Sequence, residues 1–324
     1  MKKFDAMASA KVFSGKPEQT EINLGLIKYP ALVSIKYDGW RMFDVGGEVR
    51  CRSLKPPKNT FTQRMMKELY SATRGYGLIG LDGEAIRGPI MDMNAMQNSS
   101  SMFNSYDVED DFTYLVFDAY GNADQPFERR LAHVQETVER LRSNFPWVQF
   151  VDHLPIHDRD ALLAHLSEIE ALGGEGVMGR SYDGPYKFGR STMKEGFLWA
   201  LKPYADDEAE IIGFADELEN QNEQTIDERG YSKRSGHQDN LVPKGRLGKF
   251  ICRSPKFPET FSIGAGIGLT HELRQRVWDN QHLYLGRHIT YKYQAVGVKE
   301  RPRQPKFMGF RAEEDMALMT EDRS

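Results

Sequence analysis

The sequence predicts an α+β domain built on antiparallel sheets, followed by a small all-β barrel of the OB-fold kind. Three observations carry this. Strand-like apolar runs mix with helices over the first two thirds of the chain, but without a regular βαβ rhythm. A charged turn, Lys202-Pro203-Tyr204-Ala205-Asp206-Asp207, then marks a change of character. Beyond it, several short runs rich in β-branched and aromatic residues surround one helix. The 324 residues suit about two domains at roughly 100–200 residues each.

The elements follow in order. Ala31-Leu32-Val33-Ser34-Ile35 and Trp40-Arg41-Met42-Phe43-Asp44-Val45 read as strands around Tyr37-Asp38-Gly39, a turn in which glycine is free to take a positive φ. Leu78-Ile79-Gly80-Leu81 and Tyr114-Leu115-Val116-Phe117 read as short buried strands. A helix is predicted from Pro126, with Phe127, Leu131, Val134, Val138 and Leu141 on one face. Another starts at Asp158 as N-cap and stops at Gly173-Gly174. The run Met91-Asp92-Met93-Asn94-Ala95-Met96-Gln97, with its serine tract, reads as a structural loop. In the second domain, strands are expected at 211–214, 248–252, 260–263 and 288–293, with a helix from about Thr270 to Asn280. Residues 216–246 are polar and read as a long, mobile insertion.

Composition excludes several classes. Charged residues make up 28% and the hydrophobic set 40%, as in soluble globular proteins. No apolar run approaches the ~18 residues of a membrane span, and no apolar stretch follows the basic N-terminus as a signal peptide requires. Cys51 and Cys252 are too few for a disulfide scaffold or a four-ligand zinc site and are read as reduced thiols. The expectation is a cytoplasmic monomer with no membrane contact.

The sharpest local feature is Lys36-Tyr37-Asp38-Gly39-Trp40-Arg41. A lysine at a strand end, beside a turn carrying a carboxylate and a glycine, presents its amine to a ligand phosphate. Lys, Asp, Gly and Arg at these offsets coincide by chance in under roughly one chain in a hundred at average residue usage. Further segments stand downstream: Cys51-Arg52-Ser53, Leu81-Asp82-Gly83-Glu84, Tyr114-Leu115-Val116-Phe117-Asp118, Glu175-Gly176-Val177-Met178-Gly179-Arg180 and Trp199-Ala200-Leu201-Lys202-Pro203. In that order they resemble the motifs of the covalent nucleotidyltransferases, which comprise ATP-dependent DNA ligases, RNA ligases and mRNA-capping enzymes. Two departures stand out. Cys51 precedes the arginine where the family often has Ser, and Ala200 replaces the first lysine of the last motif. Lys194 is taken to supply the missing phosphate contact, as in short phage-type ligases. Thr260-Phe261-Ser262-Ile263-Gly264-Ala265-Gly266 and the stretch from Gly286 to Pro305-Lys306-Phe307-Met308-Gly309-Phe310-Arg311 are similar to DNA ligases in particular.

The resemblance spans about residues 30–311. It implies a nucleotidyltransferase domain of ATP-grasp-like antiparallel sheets with helices over 1–204. An OB-fold domain with a polar insertion and an acidic tail is implied over 205–324, with a hinge near Lys202 to Asp206 and no further domain. It implies ATP and Mg²⁺ as cofactors, nicked double-stranded DNA as partner, and roles in replication, repair and recombination. Lys36 is implied as the catalytic nucleophile toward the α-phosphate of ATP. An amine attacks only when neutral, so nearby positive charge or desolvation must strip its proton. Arg41, Lys194 and Lys202 would supply that field and steady the phosphate oxygens. Glu84 and Glu175 suit Mg²⁺, with ribose binding an alternative for Glu84. Phe117 offers a face for adenine stacking, or packs in the core. Ile35 would meet the base through its backbone, and Arg52 suits ribose or a nick phosphate. Rival readings are an RNA ligase, a capping guanylyltransferase, or a non-catalytic nucleic-acid-binding relative. The short length suggests a phage or viral enzyme working in the host cytoplasm.

The net charge of −4 argues at first against nucleic acid. By segment it divides otherwise. Residues 205–228 hold ten acidic and no basic side chains, 229–311 hold 17 basic and five acidic, and 312–324 hold one basic and five acidic. The expectation is a basic, DNA-binding barrel hidden between two acidic segments that cancel it, with salt-sensitive binding.

Overall fold

Two five-stranded sheets build the first domain, and their central strands come from largely buried runs such as Ala31–Ile35 and Thr113–Ala119. The computed structural model describes residues 4–13, 17–264, 269–294, 298 and 300–311. Their contacts part the chain into two units: residues up to 13, 20–202 and 226–231 in the first, the remainder in the second. In chain order the first unit carries β1 (Ala10–Lys11), α1 (Pro17–Gly25), β2 (Ala31–Ile35), β3 (Trp40–Val45), β4 (Glu48–Cys51), α2 (Thr60–Arg74), β5 (Leu81–Ile86), α3 (Ala95–Phe103), β6 (Thr113–Ala119), α4 (Phe127–Leu141), β7 (Val148–Phe150), β8 (Leu154–Ile156), α5 (Arg159–Ala171), β9 (Val177–Ser181) and β10 (Leu198–Leu201). One sheet runs β1-β10-β9-β2-β8, the other β4-β3-β5-β6-β7. The chain passes from the first sheet to the second across the Tyr37–Gly39 turn, so both sheets contribute to one site.

Local signals explain most helices. Asp158 caps α5 by accepting from the Ala161 amide (2.8 Å), and Gly173 ends it at φ +83°. Asn59, wholly buried, caps α2 and seats Met66, Leu69 and Tyr70 in the core. Two expectations need correction. Residues 95–103 form α3 rather than a loop. The poor helix formers Asn98 and Ser99–Ser101 are overridden by packing of Ala95, Ser99, Met102 and Phe103. The strand expected at 78–81 begins only at Leu81 and runs on through Asp82, Gly83 and Glu84. Gly80, at φ +74°, breaks the run before it.

The second unit holds β11 (Ala205–Asn220), β12 (Gln224–Ile226, whose last residue joins the first unit), β13 (Ser232–Arg234), β14 (Leu241–Ser254), β15 (Phe257–Gly264), α6 (His271–Asp279), β16 (His288–Gln294) and β17 (Arg303–Phe310). Strands β11-β14-β15-β17-β16 close into a barrel. Ile211, Phe250, Ile263, Ile289, Tyr291 and Phe307 fill it. This is the predicted α+β arrangement with a five-stranded barrel after it, although the sheets are not wholly antiparallel: β1 runs parallel to β10, β6 to β7 and β15 to β17. The polar run 216–246 is strand through much of its length rather than a mobile loop. β11 and β14 continue past the barrel as a ribbon, pairing Leu218 with Pro243 and Asn220 with Leu241. Asn222, buried, donates to the Ser235 and His237 carbonyls. A ribbon open to water on both faces needs no apolar stripe, which is why composition concealed it. Ala265 and Gly266 of the barrel motif, and the acidic tail 312–324, lie outside the described residues. Among the described residues no helix is long and apolar enough to cross a membrane.

Candidate active site

Three neighbouring strand ends of the first sheet build the site's centre. β2 and β9 pair with Ile35 opposite Val177, and the Lys36 amide donates to the Gly176 carbonyl (2.8 Å). β9 and β10 pair with Val177 opposite Leu201. This register sets Lys36, Glu175 and Lys202 side by side. Glu175, only 4% exposed, takes Lys36 Nζ on one oxygen and Lys202 Nζ on the other. Gly176 makes the approach possible. It sits at φ +138°, and a Cβ there would lie 2.4 Å from the Leu201 carbonyl oxygen. Gly39 acts by space rather than by turn geometry. Its φ is not positive, contrary to the turn expected for it, but a Cβ would stand 2.5 Å from Ile86 and 2.7 Å from the Ala85 carbonyl oxygen.

The second sheet supplies the facing groups. Arg41 on β3 pairs in register with Glu84 on β5. Lys36, Arg41 and Glu175 all act electrostatically on Glu84, so the four charges share one neighbourhood. Burial raises the Glu84 carboxyl to about 7, against the pull of Lys36 and Arg41. Burial, aided by the charge of Lys36, lowers Lys202, with Glu175 opposing. Arg41 forms a bidentate pair with Asp82, Nε to Oδ1 at 2.8 Å and Nη2 to Oδ2 at 2.5 Å. Burial alone would lower the Arg41 guanidinium, but Asp82 more than reverses this and raises it.

Phe117 is placed by a bulge. Asp82 pairs with Asp118 and Gly83 with Val116, so Phe117 is the extra residue on β6. It is half-buried, and the guanidiniums of Arg41 and Arg180 lie 5.7 and 5.8 Å from its ring centre. Ile35 ends β2 beside Lys36. Two expected residues are exposed. Arg52 is exposed on the turn after β4, and Lys194 is exposed on the turn before β10 and makes no ion pair among the described residues. Ala200, where the family places a lysine, is buried in β10 opposite Met178. Trp40 stacks on Phe103 and Trp199 is buried against Gly179, so both pack rather than bind.

Sequence reasoning passed over the charges behind these groups. Asp118, wholly buried, binds Arg130 through Nε (2.9 Å) and Arg180 through Nη1 (2.6 Å). Arg180 on β9 thereby joins the first sheet to Asp118 on the second. The available signal was a charged residue at an inward position of an otherwise apolar strand.

Glu84 and Glu175 fit a small hard cation. The Glu84 carboxyl is half-buried, and desolvation lets it hold its proton unusually well, the mark of a carboxylate short of positive charge. Two carboxylates, with water and substrate phosphates completing the shell, are what Mg²⁺ ordinarily takes. No cluster of three or more His, Cys, Asp or Glu that could cage a metal occurs among the described residues.

In the second unit, structure revises the charge reading. The acidic stretch does not flank the barrel, because β11 is one of its strands. Glu217 pairs with Arg246 (2.7 Å) and Arg274 (2.9 Å), Glu210 with Arg253 (2.8 Å) and Glu208 with Arg311 (2.9 Å). Lys233, Arg234, Lys249, Lys256, Arg276, Arg287, Lys292 and Lys306 make no ion pair among the described residues. Lys292 and Lys306 are cross-strand partners, both about 6 Å from the Tyr204 ring centre.

A lysine, two carboxylates and a second lysine between two largely antiparallel sheets, with a closed barrel following in the chain, make the arrangement that the motifs imply for a nucleotidyltransferase domain followed by an OB-fold domain. The comparisons carry this to the DNA ligases. Residues 241–311 match the family model described as DNA ligase OB-like domain. A DNA ligase of Haemophilus influenzae is 23% identical over 192 residues, 59% of this chain and 56% of that protein, so the match spans little more than half of the relative's length. The crystal structure of Chlorella virus DNA ligase-adenylate is 25% identical, with a TM-score of 0.52 over 96% of this chain and 99% of that one. A Lig E DNA ligase shares the fold at a TM-score of 0.64 and 21% identity, covering 94% of this chain and 99% of that one. The chain therefore has the two-domain fold of the ATP-dependent DNA ligases, as its motifs imply.

Proposed function

We propose that this chain is an ATP-dependent DNA ligase that seals nicks in duplex DNA, acting as a cytoplasmic monomer. Lys36 Nζ attacks the α-phosphorus of ATP. A P–N bond forms, the bond to pyrophosphate breaks, and pyrophosphate leaves. The 5′-phosphate of a nick then attacks the lysyl-AMP phosphorus, breaking the P–N bond and restoring Lys36. The 3′-hydroxyl attacks the activated 5′-phosphate and AMP departs. The observation that supports this reading best is the Lys36–Glu175–Lys202 cluster beside Glu84. The residues divide the work. Glu175 orients both amines, and Lys202 sets a second positive charge beside Lys36 to meet the phosphate oxygens. Glu84 and Glu175 would hold Mg²⁺, which when bound offsets negative charge on the phosphates. Phe117 offers its face to the base and Ile35 its backbone, while Arg41 and Lys202 face phosphate or ribose oxygens.

The test is incubation with α-labelled ATP and Mg²⁺, followed by denaturing electrophoresis. Covalent label is expected on the wild type and none on Lys36→Ala. Undiminished label on that variant would overturn the assignment. Discharge of the adduct by nicked DNA but not by nicked RNA separates this reading from an RNA ligase.

A further inference from the structure

We propose that Tyr186 and the backbone of Met7 are positioning groups for Arg41, and through it for the nucleotide. The inference rests on the function proposed above. Four residues from four segments close a ring of hydrogen bonds. Arg41 donates twice to Asp82, and its Nη1 donates to the Met7 carbonyl (2.6 Å). The Tyr186 hydroxyl donates to Asp82 Oδ2 (2.7 Å) and accepts from the Met7 amide (3.2 Å). Asp82 and Met7 are wholly buried and Tyr186 nearly so.

The ring fixes the guanidinium on two sides. Three of its five N–H donors are taken, and two have no acceptor among the described residues. The Arg41 side chain keeps 18% of its surface exposed, although its carboxylate partner keeps none. A rigid fork with two donors left over, next to the Phe117 ring and Glu84, suits an oxygen-rich part of the bound nucleotide. Held this way, Arg41 is oriented before the ligand arrives, so binding does not have to order it. Without the Tyr186 hydroxyl, Asp82 loses one of the hydrogen bonds that fix it and Met7 loses its acceptor. The guanidinium can then rotate with its carboxylate.

The test measures single-turnover lysyl-AMP formation against ATP concentration in the full chain. For Tyr186→Phe, the concentration giving half-maximal rate should rise about three- to tenfold, the range of one lost hydrogen bond. The maximal rate should stay within about threefold of wild type. In an Arg41→Lys background the same change should add nothing, because the fork it positions is gone. Should Tyr186→Phe fail to fold, Asp82→Asn breaks the ring at its centre and is read the same way. An unshifted ATP dependence, or an equal shift in both backgrounds, would overturn the inference while leaving the function intact. Absence of adduct on wild type would instead remove the function, and this inference with it.

Discussion

At the scale of single residues, Glu175 and Glu84 divide opposite tasks. Glu175 is satisfied by two ammonium groups, whereas Glu84 is half-buried among charges that only partly offset its desolvation. Replacing Glu175 by Gln leaves one lysine facing an amide N–H₂. Adduct formation should fall about 100-fold or more, the scale of losing a preorganised electrostatic contact, and quenched-flow measurement of label uptake checks this. Glu84 gives a pH signature. Its folded value of about 7 lies above the unfolded value of roughly 4.3. Between these values the folded chain binds more protons than the unfolded one, so stability falls as pH rises, and the penalty is complete above pH 7. In metal-free buffer Glu84→Gln should melt above wild type at pH 8, with the gap closing toward pH 5. A gap independent of pH would show that Glu84 is not the group responsible. Added Mg²⁺ should raise the melting temperature of the wild type more than that of the variant.

At the scale of elements, the site depends on strand ends and on one buried ionic staple. Asp118→Ala would strand Arg130 and Arg180, which are almost wholly buried. Breaking such a set costs about 3–5 kcal/mol. Chemical denaturation should show this loss, and a change below about 1 kcal/mol would mean that water reaches the arginines. Much of this level was legible in advance. Asp158, Pro126 and Thr270 announce three helices because capping is a local property. The cap at Asn59 and the apolar face of Met66, Leu69 and Tyr70 announce α2 equally well, although the motifs drew attention elsewhere. The helical state of 95–103 was not legible, because packing of Met102 and Phe103 decides it against local preference. The bulge at Phe117 was hidden too, since it follows from the register of β5 against β6 rather than from β6 alone. Lys36, Glu84, Glu175 and Lys202 gather in one neighbourhood, and Arg52 follows Cys51, the β4 partner of Met42, which sets it near Arg41.

At the scale of the whole molecule, charge is organised by pairing rather than by segment. A count along the chain treats the acids of 205–228 as a separate block, but antiparallel pairing puts several of them against the arginines they neutralise. Pairing leaves a smaller set of cations to meet a phosphate backbone, among them Lys233, Lys249, Lys256, Arg276, Arg287, Lys292 and Lys306. Lys292 and Lys306 are the strongest candidates, because like charges placed directly opposite are unfavourable unless an anion joins them. If both touch DNA phosphates, binding weakens with salt along a log–log slope to which each contributes about 0.9. Replacing both by Gln should flatten the slope by roughly 2 and weaken binding equally on every sequence. Arg246→Gln and Arg274→Gln, which break pairs with Glu217, should lower the melting temperature instead and leave the slope near its original value. Fluorescence anisotropy on a nicked duplex across a salt series separates the two sets. A slope moved as much by the Glu217 partners as by the lysine pair would return the barrel to a diffuse basic surface, with pairing irrelevant to its affinity.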